Sequence, residues 1–309
     1  MEQRELGTTG IQVSVICYGA WGIGGAPWWT TKGDEVSRGS ILAAVEEGIN
    51  FFDTAPAYGW GHSERLLGDV LKPFRDTVVL ATKCGLSNMN GQIVRDLKPA
   101  AIRKELDVSL RNLKTEYIDL YQIHWPSPND SMEHAMEELA KAKEKGKIRA
   151  IGVSNFDLPL LERARKVVLV DCVQPKYNLL ERDIEADILP YCAKNKIGVI
   201  AYSPLSSGLL TGKYGKGTHF EDWRGGGGFG IFRPETLAKA YDRVEKLKAT
   251  AAEIGKPPAH IAINWVIANP AVTAAIVGVK DAAQLKDGVK CLRYPLTTEE
   301  KKRVELATG

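Results

Sequence analysis

Eight short runs rich in Val, Ile and aromatic residues recur along the chain, with amphipathic stretches between them. They are VSVICYG (13–19), INFFD (49–53), TVVLATK (77–83), YIDLYQIH (117–124), IRAIGVSN (148–155), DCVQPKYN (171–178), GVIAYSP (198–204) and TAAIVGV (273–279). The intervening stretches carry helix punctuation. In 34–48, Val36, Ile41, Leu42 and Val45 recur at near-helical spacing. In 98–114, Pro99 opens a segment with Ile102, Leu106, Leu110 and Leu113 on one face. Residues 131–146 begin at a Ser cap and end at a Gly. Strand and helix therefore alternate about eight times, the pattern of parallel βαβ units. Eight units in this length suit an α/β (β/α)8 barrel, a TIM barrel, better than a doubly wound sheet with an added domain. No linker or composition break divides the chain, so one barrel domain over 1–309 is expected.

Two segments fall outside the alternation. RELGTTGIQV, at the start, reads as a β-hairpin turning near Thr9-Gly10 that caps the bottom of the barrel. A long loop, about 206–233, follows the seventh strand. Within it Gly225, Gly227 and Gly230 match G-x-G-x-x-G, but no strand precedes them, so the dinucleotide fingerprint does not apply and a flexible loop or lid is expected.

Bulk properties exclude several classes. Forty-one basic and 38 acidic residues leave a charge of +3, too little to point to nucleic acid or a membrane surface. Five scattered cysteines without C-x-x-C suit a reducing compartment. No apolar run approaches the roughly 18 residues of a membrane span, and the polar opening lacks a secretory core. A cytoplasmic protein follows. The histidines show no paired spacing, so no metal is expected.

In a barrel, polar residues at the C-terminal ends of the strands share one face. Read in order, the run ends give Asp53, Lys83, His124, Ser154-Asn155, Gln174 and Tyr202-Ser203. A carboxylate ending a buried strand is costly unless paired, and Lys83 on the next strand is the natural partner of Asp53. Tyr58 follows five residues after Asp53 in NFFDTAPAYGWGHSERLLG. A phenol titrates near pH 10, and a nearby ammonium lowers that value. His124 is placed to hydrogen-bond a substrate oxygen. The set suits proton transfer to a carbonyl oxygen, with the hydride left to a nicotinamide cofactor. Ser63 and Glu64 read as the cap and first turn of the following helix, and Asp119 and Asp171 as structural ion pairs.

These motifs, with LATK, YQIHWP, IGVSNF, VQPKYN and AYSPLSSGLLTGKY in that order, resemble the aldo-keto reductase family, in particular its bacterial and potassium-channel-β-subunit-like branches. The resemblance runs from the opening hairpin to about Leu285. It implies a barrel that reduces aldehydes and ketones to alcohols with NADPH, with Asp53, Tyr58, Lys83 and His124 as the catalytic tetrad and Tyr58 as proton donor. It implies that Ser154, Asn155 and Gln174 hold the nicotinamide carboxamide, that Tyr202 stacks on the ring, and that Ser203, Leu205 and Ser207 run along the pyrophosphate. Gly278, Lys280 and Gln284 fall at the adenosine end, with Lys280 the candidate partner of a 2′-phosphate. Ile276-Val277-Gly278 lacks the proline common there, and Gly288 stands where an Asn commonly contacts adenine, so NADH is the alternative cofactor. Trp21 and Trp125 fall on the substrate wall, an aromatic pocket for a small neutral carbonyl compound. The oligomeric state is left open. Two other readings stand beside this one: a nicotinamide-binding regulatory subunit with little turnover, and a cofactor-free barrel isomerase.

Overall fold

The computed structural model describes residues 1–89 and 92–309. Among them, eight parallel strands close into a barrel. These are β3 (Ile16–Gly19), β4 (Phe51–Asp53), β5 (Val79–Cys84), β8 (Ile118–Ile123), β9 (Ile148–Ser154), β10 (Cys172–Gln174), β11 (Gly198–Tyr202) and β12 (Ala274–Gly278), and β12 pairs back onto β3. Around it lie α1 (Asp34–Glu46), α2 (His62–Leu71), α3 (Pro99–Asn112), α4 (Met132–Glu144), α5 (Leu158–Val167), α6 (Ile188–Asn195), α7 (Pro234–Ile254), α8 (Pro258–Ile267), α9 (Ala282–Val289) and α10 (Thr298–Thr308). The expected (β/α)8 barrel is the observed fold. No described helix is long and apolar enough to cross a membrane.

Side chains alternate across each strand, so one set fills the barrel and the other meets the helices. Cys17, Phe51, Val79, Ala81, Leu120, Ala150, Cys172, Ile200, Ala274 and Ile276 pack inside. Leu6, Ile11 and Val13 join them from the opening hairpin, β1 (Gln3–Glu5) and β2 (Gln12–Ser14). The hairpin therefore plugs the end where the strands begin. Gly7 makes the approach possible: it has φ +62°, and a Cβ there would lie 2.5 Å from the Asp171 carbonyl oxygen.

Three local expectations need revision. The run 13–19 serves two sheets, with Gln12–Ser14 in the hairpin and Ile16–Gly19 in the barrel. On α1, Val36 and Leu42 are 37% and 42% exposed, while Ser37, Ser40, Ile41 and Ala44 turn inward. Ser40 is drawn in because its hydroxyl pairs with the buried Tyr18 hydroxyl at 2.6 Å. A second hairpin, β6 (Leu86–Met89) and β7 (Gln92–Arg95), follows β5 and was not foreseen.

Candidate active site

The inward positions that carry apolar residues lower in the barrel become polar at its C-terminal rim. Asp53 lies two residues after Phe51, Lys83 two after Ala81, Gln122 two after Leu120, Gln174 two after Cys172 and Tyr202 two after Ile200. The same alternation that fills the barrel therefore points these groups at one another.

The Asp53–Lys83 pair is buried. Lys83 Nζ donates to Asp53 Oδ1 at 2.6 Å, the Thr54 carbonyl at 2.8 Å and the Tyr58 hydroxyl at 3.5 Å, which uses all three of its protons. Asp53 Oδ2 accepts from Gln174 Nε2 at 2.9 Å and Gln122 Nε2 at 3.2 Å. Burying two charges is tolerable only when their remaining hydrogen-bonding capacity is met, and here it is. Burial alone would pull the Lys83 ammonium down, but Asp53 and Tyr58 beside it hold it above its ordinary value.

Tyr58 departs from expectation. Burial pushes its phenol above the usual range, and the lowering by Lys83 does not offset that, partly because Asp53 opposes it. The hydroxyl is thus protonated at neutral pH. His124 lies edge-on to the Tyr58 ring, with centroids 5.8 Å apart and planes at 81°. Burial, and then the charge of Lys83, hold this imidazole well below its ordinary value, so it is neutral. Its Nδ1 is buried and has no partner among the described residues.

The next strand ends form one network. Ser154 Oγ donates to the Gln174 carbonyl at 2.8 Å. Asn155 Nδ2 donates to Ser154 Oγ at 3.1 Å and the His124 carbonyl at 3.0 Å, while its Oδ1 accepts from the Tyr202 hydroxyl at 2.8 Å. Gln174 Nε2 donates to Asp53 Oδ2 and to Gln122 Oε1. Beyond Tyr202 the chain turns sharply, with Ser203, Ser206 and Ser207 in left-handed conformations (φ 55°, 47° and 52°). Leu205 packs against the core, and the buried Ser206 hydroxyl has no partner among the described residues. Across the rim, Gly278 is exposed, and Lys280 donates its backbone N–H to Gln284 Oε1 at 3.1 Å. An aromatic face at Tyr202, an orphaned hydroxyl at Ser206 and the Lys280 cation are groups that fit a nicotinamide dinucleotide lying across this rim.

The loop after β11 is no loose lid. Trp21 is ringed by Trp29 (5.2 Å), Trp223 (5.1 Å), Phe229 (5.8 Å), Tyr58 (6.2 Å) and Trp28 (6.3 Å). Trp223 and Phe229 come from that loop, so it supplies part of an aromatic canopy beside Tyr58. Arg224 anchors it, paired with Asp222 at 2.6 Å, donating to the Ser207 carbonyl at 3.1 Å and lying over Phe220 and Trp29. Lys280 Nζ sits 4.3 Å above the Trp29 ring, and burial, then the charge of Arg224, hold its ammonium below the ordinary lysine range. Lys280 is thus a half-buried cation on an indole face, with no ion pair among the described residues. Trp125 stands apart, covered by Arg95 at 5.1 Å.

Sequence reasoning missed Gln122, Trp223, Phe229 and Arg224. Gln122 was readable from strand alternation, two places before His124. The loop residues had no signal, because nothing in a polar glycine-rich stretch says where it folds back. Ser63 is also not a helix cap. Gly61 (φ 84°) occupies that place, and Ser63 Oγ instead pairs with Thr54 Oγ1 and donates to the Ala20 carbonyl, each at 2.9 Å. Asp119 and Asp171 are structural, with Arg75, Arg149 and Lys143 each at 2.8 Å.

The aldo/keto reductase family model matches residues 15–307. An aldo-keto reductase of Bacillus subtilis, YhdN, is 39% identical, over 98% of this chain and 92% of its own. The NADH-specific methylglyoxal reductase of Escherichia coli is 35% identical, over 96% and 95%. The solved structure of a glycerol dehydrogenase from Gluconobacter oxydans matches with a TM-score of 0.88 at 37% identity, covering 99% of this chain and 94% of that one.

Proposed function

The chain belongs to the aldo/keto reductase family and is an oxidoreductase, and from that premise we propose that it reduces small neutral aldehydes or ketones to alcohols, with NADPH as reductant and Tyr58 as proton donor. One observation carries the reading. The Tyr58 hydroxyl, kept protonated by burial, lies 3.5 Å from a Lys83 ammonium that Asp53 holds charged.

Tyr202 would hold a nicotinamide, which when bound would supply the hydride. The protein does the rest. As the carbonyl carbon gains the hydride, its oxygen gathers negative charge and takes the Tyr58 proton. The phenolate left behind is stabilised by Lys83 at close range in a low-dielectric site. His124, held neutral, orients the carbonyl oxygen by hydrogen bonding and does not compete as an acid. Ser154, Asn155 and Gln174 would hold the carboxamide by exchanging part of their mutual bonding. Ser203, Leu205 and Ser207 would follow the pyrophosphate, and Gly278, Lys280 and Gln284 the adenosine.

Trp21, with Trp223 and Phe229, supports an apolar substrate wall, and Trp125 is proposed as its other part. Of the cations near that wall, Arg224 is engaged by Asp222 and Lys176 by Glu181, and Lys280 is assigned to the cofactor, which favours an uncharged substrate over a carboxylate. Relatives named for methylglyoxal reduction and for glycerol dehydrogenation support small neutral molecules of this kind. Lys280 is the proposed 2′-phosphate partner, and the NADH-specific relative makes NADH the comparison that tests it.

The test is oxidation of NADPH and of NADH, in parallel, with a reactive aryl aldehyde. Tyr58→Phe should lower kcat by about 10²- to 10⁴-fold, the scale of lost general acid catalysis, with cofactor binding retained. A mutant as active as the wild type removes Tyr58 from the mechanism. No turnover in either protein overturns the reductase reading.

A further inference from the structure

The Tyr58 contact is the longest of the three that Lys83 makes, so it depends most on how two segments sit against each other. Lys83 belongs to β5. Tyr58 belongs to the 54–61 connection into α2, where Trp60, Gly59 and Gly61 all have positive φ. Such a connection has little rigidity of its own. Something outside it must hold it in place.

Glu64, in the first turn of α2, does this from behind. It is fully buried and makes no ion pair among the described residues. Its Oε1 accepts from Thr82 Oγ1 at 2.8 Å, and its Oε2 accepts from Asn112 Nδ2 at 3.0 Å. Thr82 precedes Lys83 in β5 and faces outward where Lys83 faces in. Asn112 ends α3 and packs against Gly61, where a Cβ would meet its amide nitrogen at 2.8 Å. Ser63, one residue earlier, ties α2 back to Thr54 at the start of the same connection. Glu105 of α3 clasps the other side of Lys83, accepting from Gly85 N–H at 2.6 Å and Ser87 Oγ at 2.8 Å.

We propose that Glu64 is a positioning residue for the reaction, bracing the Tyr58 connection to β5 through Thr82 so that the phenol and the Lys83 ammonium stay in register. The proposal rests on the tetrad reading above. An unpaired buried carboxyl is expensive to keep, and burial raises this one above the ordinary carboxylate range. A purely apolar brace would be cheaper but could not fix the hydroxyl of Thr82.

The experiment uses Thr82→Val, Glu64→Gln and Glu64→Ala beside wild type and Tyr58→Phe. It measures kcat, KM, cofactor affinity by fluorescence, thermal midpoint and the pH profile of alcohol oxidation. Thr82→Val keeps shape and removes only the donated hydrogen bond. It should lower kcat by about 10- to 100-fold, the cost of a slightly misplaced catalytic group, with KM and cofactor affinity little changed. Oxidation needs the phenolate, whose formation Lys83 favours, so a looser pair moves the acid limb of that profile to higher pH. Glu64→Gln, which keeps an acceptor for Thr82, should retain more kcat than Glu64→Ala. If Glu64→Ala does not fold, the other two proteins decide. A wild-type kcat and unmoved acid limb in Thr82→Val overturn the proposal, whatever happens to its thermal midpoint. Full turnover in Tyr58→Phe would instead remove the tetrad reading on which it stands.

Discussion

The floor and the canopy of the barrel mouth face each other but are built on opposite principles. The floor is made of strand ends. Asp53, Lys83, Gln122, Ser154 and Gln174 are buried, and they bond to one another and to neighbouring backbone. The canopy is made of loops. Trp21, Trp28, Trp29, Trp223 and Phe229 meet ring to ring, and the indole nitrogens of Trp29 and Trp223 are buried without partners among the described residues. The floor specifies a geometry through directional bonds that admit few alternatives. The canopy specifies a surface, because edge-on and tilted ring contacts can shift with small loss. Chemistry that needs placement within a fraction of an ångström belongs on the first, and shape selection on the second.

The largest expected contrast comes from Lys83→Met. It leaves the Asp53 carboxylate buried without its cation and should cost about 3–5 kcal/mol of stability as well as activity, read from urea unfolding. A small loss would mean that the floor is held by packing and not by its charges. His124 gives the next effect. Its folded-state pKa is depressed, so below about pH 6.5 the unfolded chain binds a proton that the folded one refuses. Stability should be flat above that pH and fall below it, with this one group contributing about 1.4 kcal/mol per pH unit. His124→Gln should remove that increment. Identical pH slopes in the two proteins would show that the imidazole is not held neutral.

The smallest effect on folding is expected in the canopy. Trp223→Ala should reduce kcat/KM for an aryl aldehyde by up to about tenfold, the worth of one aromatic contact, while the urea midpoint barely moves. If Trp223→Ala instead destabilises as much as Lys83→Met, the canopy is a second core and the contrast between the two regions fails.

The floor was legible because strands carry their geometry in their alternation. Phe51 inside places Asp53 inside, and Ala81 inside places Lys83 inside. The ordered motifs then linked those ends to a known family. Gln122 obeys the same rule and was passed over only because an amide draws less attention than a charge. Ser63 and Glu64 were read as local because helix starts often are, but tertiary bonding to Thr54 and Thr82 took both. The net direction of the Tyr58 shift also escaped, since sequence reveals the neighbouring lysine but not the depth of burial that outweighs it. The canopy had no comparable rule. Trp223 and Phe229 meet Trp21 across a separation of some two hundred residues, and such ring contacts leave no periodic trace.

The hairpin plug has a consequence for traffic. With Leu6, Ile11 and Val13 packed beneath Phe51, Leu120 and Ile200, the barrel is stoppered at its base. Substrate and product would then enter and leave on the rim side, where the canopy stands.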